Sequence, residues 1–270
     1  MGDSRQGGLG EDIRAYWDER AVTYSNGVLG ELSDDRRKPW ERVIARETAG
    51  LVGEALRGSR RPRALDLGCG PGFFEILLGS AGWQVNAVDN SVCMLRLARA
   101  NTKAAGLDQD ISFAQSDFAR LPYEDGAFDL VVSRNVTWLM REPKATYAEW
   151  LRVLRPGGKL LVFDANWYRY LVDLDVDAVR RRDQEGNVLE GWDEQSMATS
   201  DEEKRCEELA AKLPLTPILR PAWDIETLRA LGATDVQTDE GAWLELWSHS
   251  EQTYYGSTPL FLVKAAKART

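Results

Sequence analysis

Ala64-Leu65-Asp66-Leu67-Gly68-Cys69-Gly70-Pro71-Gly72 sets an acidic residue near the end of a short apolar run and three glycines, spaced two apart, behind it. Phe73, Phe74, Ile76, Leu77 and Leu78 follow at helical spacing. A strand, a glycine turn and a helix in this order bring bare backbone N–H groups against a ligand, because glycine has no Cβ to hold it away. That is the chemistry of a nucleotide-type cofactor site. A dinucleotide fingerprint is G-x-G-x-x-G, with a pyrophosphate at the helix N-terminus. Here the spacing is G-x-G-x-G, and Asp66 stands two residues ahead of it. A carboxylate aimed into the loop opposes a pyrophosphate but suits an ammonium. Asp89, seventeen residues beyond Gly72 at the end of Val85-Asn86-Ala87-Val88, is placed to take two ribose hydroxyls. A free ribose, an amino-acid tail and no phosphate describe S-adenosylmethionine.

With these residues in place, the sequence resembles the class I S-adenosylmethionine-dependent methyltransferases, in their small-molecule, ubiquinone/menaquinone-type branch. The resemblance is strong over roughly residues 60–165 and looser over the N-terminal helix and the last two strands. It implies that Gly68, Gly70 and Gly72, with Cys69 between them, cradle the methionyl part and that Asp89, Asn90 and Met94 border the ribose side. Ser116-Asp117-Phe118 matches the segment after the third strand, where the aspartate accepts from the adenine amino group. Phe128 to Asn135 matches the fourth strand, whose last residues Ser133, Arg134 and Asn135 border the methyl group. Leu154-Arg155-Pro156-Gly157-Gly158-Lys159-Leu160 matches the turn before the fifth. Single matches are weak, but five in the right order are specific. Trp17-Asp18-Glu19-Arg20-Ala21 resembles a segment that ends in a tyrosine covering the cofactor, a role that falls to Tyr24. A weaker resemblance to antibiotic-tailoring N-methyltransferases rests on Tyr16 and Tyr24 and on the long aromatic insertion. The rival classes are a nicotinamide-dependent oxidoreductase and a non-catalytic cofactor-binding protein; no Tyr-x-x-x-Lys supports the first.

Ten tryptophans form the second pattern. Tyr16 and Tyr24, eight residues apart, share one helix face. Trp138 follows the fourth strand, and Asn166 and Trp167 follow the fifth, at the edge where open α/β sheets bind ligands. Tyr16, Trp17, Trp138, Asn166 and Trp167 are therefore the candidate acceptor contacts, in a chamber closed by the N-terminal helix and an insertion. Tyr16 and His249, the single histidine, are the candidate catalytic residues, His249 as a base. With one histidine and no recognisable metal site, the chain suits an amine, or an acidic phenol or carboxylate, better than an unactivated hydroxyl.

The elements that position these residues follow from periodicity. Strands are predicted at 63–67, 84–88, 111–115, 128–132, 158–163, 233–238 and 259–264, and helices at about 73–82, 91–106, 144–154, 171–184, 201–213 and 224–231. Helices are also predicted from Glu11 and over about 39–56, after a disordered leader at 1–10. Parallel strands joined by helices demand right-handed crossovers. The resemblance implies a Rossmann-like α/β fold with seven strands, mostly parallel, the last antiparallel. The expected division is a leader and helical cap at 1–57, a cofactor-binding core at 58–164, a helical insertion at 165–222 and the rest of the core at 223–270. The insertion reads as a lid or an oligomerisation element, and a homo-oligomer is expected through it or through the N-terminal helix.

Among 270 residues, 43% are apolar and 29% charged, with a net charge of −9. The acidic balance argues against nucleic acid or an anionic membrane as partner and favours a cationic small molecule. Cys69, Cys93 and Cys206 are odd in number and lack paired spacing, so neither a disulfide framework nor a zinc site is expected. A reducing cytoplasm is the expected compartment.

Overall fold

The computed structural model describes residues 4–107, 109–187 and 197–269. Two helices, α1 (Ser4–Glu31) and α2 (Asp34–Arg57), precede the sheet. The seven strands are β1 (Arg63–Leu67), β2 (Gln84–Asp89), β3 (Ile111–Gln115), β4 (Phe128–Arg134), β5 (Leu154–Asp164), β6 (Thr234–Asp239) and β7 (Phe261–Ala266). Their order is β3-β2-β1-β4-β5-β7-β6, with β7 antiparallel to both of its neighbours and the other pairs parallel. The order reverses between β1 and β4, and a sheet wound both ways from one point leaves a crevice at those two strand ends. The glycine loop after β1 and Arg134-Asn135 after β4 therefore meet.

Both faces of the sheet are covered, so its strands read as nearly continuous apolar runs. Leu130, Val132, Leu161 and Phe163 face one way and pack with Trp40, Val43 and Ile44 of α2 and with Phe73, Phe74 and Leu77 of α3 (Phe73–Ser80). Leu65, Leu67, Val131 and Val162 face the other way, against Tyr147 and Trp150 of α5 (Pro143–Val153). Trp40, Val43 and Ile44 recur at three- and four-residue intervals, which puts them on one stripe of the helix. The fourth helix, α4 (Val92–Ala104), is capped by Ser91, whose hydroxyl accepts from the Met94 N–H at 3.0 Å.

Beyond β5 the chain leaves the sheet, as its loss of alternation predicts. It forms α6 (Leu174–Gln184) and α7 (Ser200–Ala210), then returns through α8 (Ala222–Ala230) to β6. Thr199 and Glu202 form a reciprocal cap at the start of α7. Tyr16 of α1 packs with Cys206 and Leu209 of α7 and with Trp138, so α1 and α7 together roof the strand ends. Two short helices, α9 (Ala242–Leu246) and α10 (His249–Tyr254), were not expected from periodicity; each is too short to show one.

One boundary is corrected. Residues 4–10, read as a disordered leader, belong to α1. Leu9 and Ile13 pack against the α1–α7 cluster, and tertiary packing overrides the weak helix propensity of a glycine-rich stretch. Residues 1–3 of that leader and residues 188–196 of the expected insertion lie outside the described residues. No helix among the described residues is long and apolar enough to cross a membrane.

Candidate functional site

The glycine loop is built for close approach. Gly68 has φ +68, and a Cβ there would lie 2.5 Å from Val136; Gly70 has φ +54, and a Cβ there would lie 3.9 Å from the Tyr24 ring. Gly68, Cys69, Gly70, Asp66, Tyr24 and Arg134 line a small cleft at the end of β1. Gly72 does a different job from the one expected. At φ +103, its missing side chain lets Ala98 of α4 approach, with a built Cβ 3.3 Å from the Ala98 Cα. It packs two helices together and does not line the cleft.

Beneath the loop lies a buried acid pair. Asp66 is 2% exposed, and Glu75, in the first turn of α3, is fully buried with neither carboxylate oxygen partnered. Burial pushes the Asp66 carboxyl up to about 7, and burial with the neighbouring Asp66 pushes Glu75 up as well. Burial likewise holds Cys69 as the thiol, which fits a small packing residue. The donor set suits an ammonium and rejects a phosphate, since like charges at the loop would be forced together.

At the end of β2, Asp89 accepts from the Gly70 N–H at 2.9 Å and from the Ser91 N–H at 2.8 Å. Burial raises its carboxyl to about 6. Each oxygen keeps a lone pair for a further donor. Asp117 is less free than expected: it accepts from the Ala119 N–H and from Arg141, both at 2.9 Å. The Ser116 hydroxyl donates to the Arg120 carbonyl, the Phe118 carbonyl accepts from Trp150, and Asn90 gives its carbonyl to Gln115. Met94 is a core residue at 2% exposure, and Ser133 is fully buried with an unpartnered hydroxyl. Asp18 of α1 accepts from the Ser91 hydroxyl at 2.6 Å and the Cys93 N–H at 3.1 Å, which ties α1 across the start of α4.

Next to the cleft opens a larger chamber of about 280 Å³, near the small end of ligand cavities, which run from roughly 300 Å³ upward. Tyr24 and Arg134 line both spaces. Of the expected acceptor contacts, Tyr16, Trp17, Trp138 and Trp167 are present in its walls, and Asn135 lines it as well. The walls also carry Glu31, Glu203, Glu207 and Glu251 against Arg20, Arg134 and Arg180. Arg134 pairs with Glu31 and lies 3.7 Å from the Phe73 ring centroid. Glu251 pairs with Arg36 at 2.7 Å, and Glu207 accepts from the Tyr170 hydroxyl at 2.7 Å. The Glu203 carboxylate has no ion-pair or hydrogen-bond partner among the described residues; burial and the nearby Glu207 raise its carboxyl.

Two expected residues are not in the chamber. His249 begins α10 on the exposed surface and lines no described cavity, so the general-base reading for it is withdrawn. Asn166 spends its amide on Arg220, donating to its carbonyl at 2.9 Å and accepting from its N–H at 3.1 Å. It fastens the chain after β5 to the segment before α8. Tyr16 is in place, but burial holds it as the phenol, far from a base. Sequence reasoning missed Glu203, Glu207 and Tyr255. The first two stand one turn apart on α7 behind a legible cap at Thr199, which was the available signal.

A methyltransferase-domain family matches residues 65–162. Demethylmenaquinone methyltransferase of Renibacterium salmoninarum is 32% identical over 154 residues, covering 56% of this chain and 58% of that protein. The 27-O-demethylrifamycin SV methyltransferase of Amycolatopsis mediterranei is 30% identical over 178 residues, covering 65% of this chain and 64% of that protein. The chain thus spans less than two thirds of the length of these relatives. Phosphoethanolamine N-methyltransferase 2 of Haemonchus contortus, solved in complex with S-adenosyl-L-methionine, has the same fold, with a TM-score of 0.51 over 77% of this chain and 49% of that one at 19% identity.

Proposed function

We propose that the chain, whose residues 65–162 match a methyltransferase-domain family, is an S-adenosylmethionine-dependent enzyme that methylates a small molecule, at nitrogen, in the aromatic chamber beside the glycine cleft. When bound, S-adenosylmethionine supplies a methyl carbon on a sulfonium, already reactive toward a nucleophile. The chain's own part is to align and enclose. In this reading the bare Cα positions of Gly68 and Gly70 let the methionyl end approach the loop, Asp66 faces its ammonium, and Asp89 accepts from the ribose hydroxyls. Tyr24 and Arg134 form the partition across which the acceptor meets the methyl group. The roof formed by α1 and by residues of the 165–222 insertion excludes water.

The unpartnered Glu203 carboxylate, in a wall of tyrosine and tryptophan, carries the choice of nitrogen. An aromatic wall with net negative charge attracts an ammonium through ring faces and Coulomb energy together. Entry as the cation followed by loss of one proton to water leaves a nucleophilic amine. No chamber tyrosine competes as a base, because burial raises Tyr16, Tyr24, Tyr168 and Tyr170 alike. The likeness to the 27-O-demethylrifamycin SV methyltransferase supports an acceptor drawn from secondary metabolism and, as second reading, transfer to an oxygen, here of a phenol or a carboxylate. Incubation with methyl-labelled S-adenosylmethionine and a panel of aromatic amines and phenols tests this. Label in amines is expected. Label in phenols alone contradicts the nitrogen reading, and label in neither contradicts the chamber as an acceptor site for these classes.

A further inference from the structure

Glu75 is a fully buried acid that no donor serves. Both of its side-chain oxygens are shut off from water, and neither has a hydrogen-bond partner. As the third residue of α3 it stands where a glutamate can cap a helix by accepting from the N-cap N–H. That role is closed here, because the Gly72 N–H donates to the Cys69 carbonyl at 3.2 Å. An ionised carboxylate in such a place would be an uncompensated buried charge, so the group is the neutral acid. A neutral carboxyl is also a donor, and its O–H needs an acceptor.

The charged and titratable groups around Glu75 leave one acceptor for that proton. Asp89, at the end of β2, already takes the Gly70 and Ser91 N–H groups at 2.9 and 2.8 Å. Cys69 in the loop is a thiol, and Arg134 after the switch in strand order is a cation paired with Glu31 of α1. Asp66 remains, and the two carboxyls act on each other as close neighbours. Asp66 lines the glycine cleft, as do Phe73 and Phe74 from the same turn of α3, whereas Glu75 does not. We propose that Glu75 is a positioning residue of the cofactor site: its carboxyl O–H donates to Asp66 and leaves the other Asp66 oxygen free for the ammonium of S-adenosylmethionine. The inference rests on the placement of that ammonium at Asp66. The pair then holds one proton and one negative charge, which matches a single ammonium. With no proton the two acids would repel each other, and with two they would offer the ammonium no charge. Arg134 favours the ionised form of Asp66 and Asp89 opposes it, so the donated proton decides the balance.

The test is the affinity of the full chain for S-adenosylhomocysteine, measured by calorimetry from about pH 5.5 to about pH 8.5 on wild type, Glu75→Gln and Glu75→Leu. Wild type should lose affinity as pH falls below about 7, where Asp66 takes up a proton. Asp89, raised to about 6, adds a lower step common to all three chains. Glu75→Gln keeps an N–H donor for Asp66 and should hold the upper midpoint to within about half a pH unit. Glu75→Leu takes a hydrogen bond from ionised Asp66, so the midpoint should rise by about one unit. Its affinity should then be about tenfold below wild type near pH 6 and within about twofold of it near pH 8.5. A midpoint that stays in Glu75→Leu overturns the proposal. So does one that falls, which would make Glu75 a charged neighbour of Asp66, or a Glu75→Gln midpoint that moves with that of Glu75→Leu. Leucine in this apolar surround should melt no lower than wild type; a lower melting temperature with an unmoved midpoint makes Glu75 purely structural. Wild type that binds with no midpoint near 7 overturns Asp66 as the ammonium's partner, and wild type that does not bind overturns the cofactor site itself.

Discussion

Asp66 illustrates how a single residue can belong to the motif and still behave unlike a surface carboxylate. Burial raises it to about 7 from an ordinary 3.8, so the folded chain holds a proton that the unfolded chain has released. Its contribution to stability is therefore present below pH 4 and lost as pH rises through about 7, and Asp89, raised to about 6, acts in the same direction. An ammonium brought beside Asp66 favours ionisation. Binding of S-adenosylhomocysteine near pH 6.5 should thus release protons, seen as calorimetric enthalpies that depend on the buffer's ionisation heat. Asp66→Asn should reduce that release; an identical release would locate the ammonium elsewhere. Asp89→Ala should weaken S-adenosylhomocysteine by about 1.5–3 kcal/mol through lost charge-assisted contacts, and an unchanged affinity would make Asp89 purely structural. The glycines and these acids were legible in the sequence because their requirements are local. The unpaired Glu203 was not, since its isolation is defined by partners that the fold withholds.

At the level of elements, legibility followed length. The seven strands and the long helices showed their periods, and β1, β3 and the α3 region fell where expected. The two helices before β7 carry five and six residues, less than two turns, and only the Ser248–Glu251 cap announces the second. Gly72 shows how an element junction can look like a ligand contact. Its φ of +103 and the nearby Ala98 of α4 make it a packing position. Gly72→Ala should cost about 1–3 kcal/mol in urea unfolding while the folded fraction keeps its affinity for S-adenosylhomocysteine. Unchanged stability would mean that α3 and α4 are free to part.

Across the whole molecule, the chamber depends on joining the excursion after β5 to the sheet. Arg220 does this from full burial, with Asp224 at 2.7 Å and Asp164, the last residue of β5, at 3.5 Å. Asp164 in turn accepts the Thr137 N–H at 2.9 Å, next to Trp138. Removing one partner of a buried charge cluster strands the others, so Arg220→Met should destabilise by about 3–5 kcal/mol; a change within about 0.5 kcal/mol, the size expected of a surface substitution, would show that the cluster does not hold the roof. None of this closure was readable from residues 165–222 alone, because its partners lie more than fifty residues away. What the roof encloses is the central claim. Tyramine offers a primary amine and a phenol on one skeleton, so a single reaction with S-adenosylmethionine carrying a ¹³C methyl group makes the two nucleophiles compete in the same chamber. The ¹³C resonance of the product should be that of an N-methyl amine; an O-methyl resonance would contradict the account.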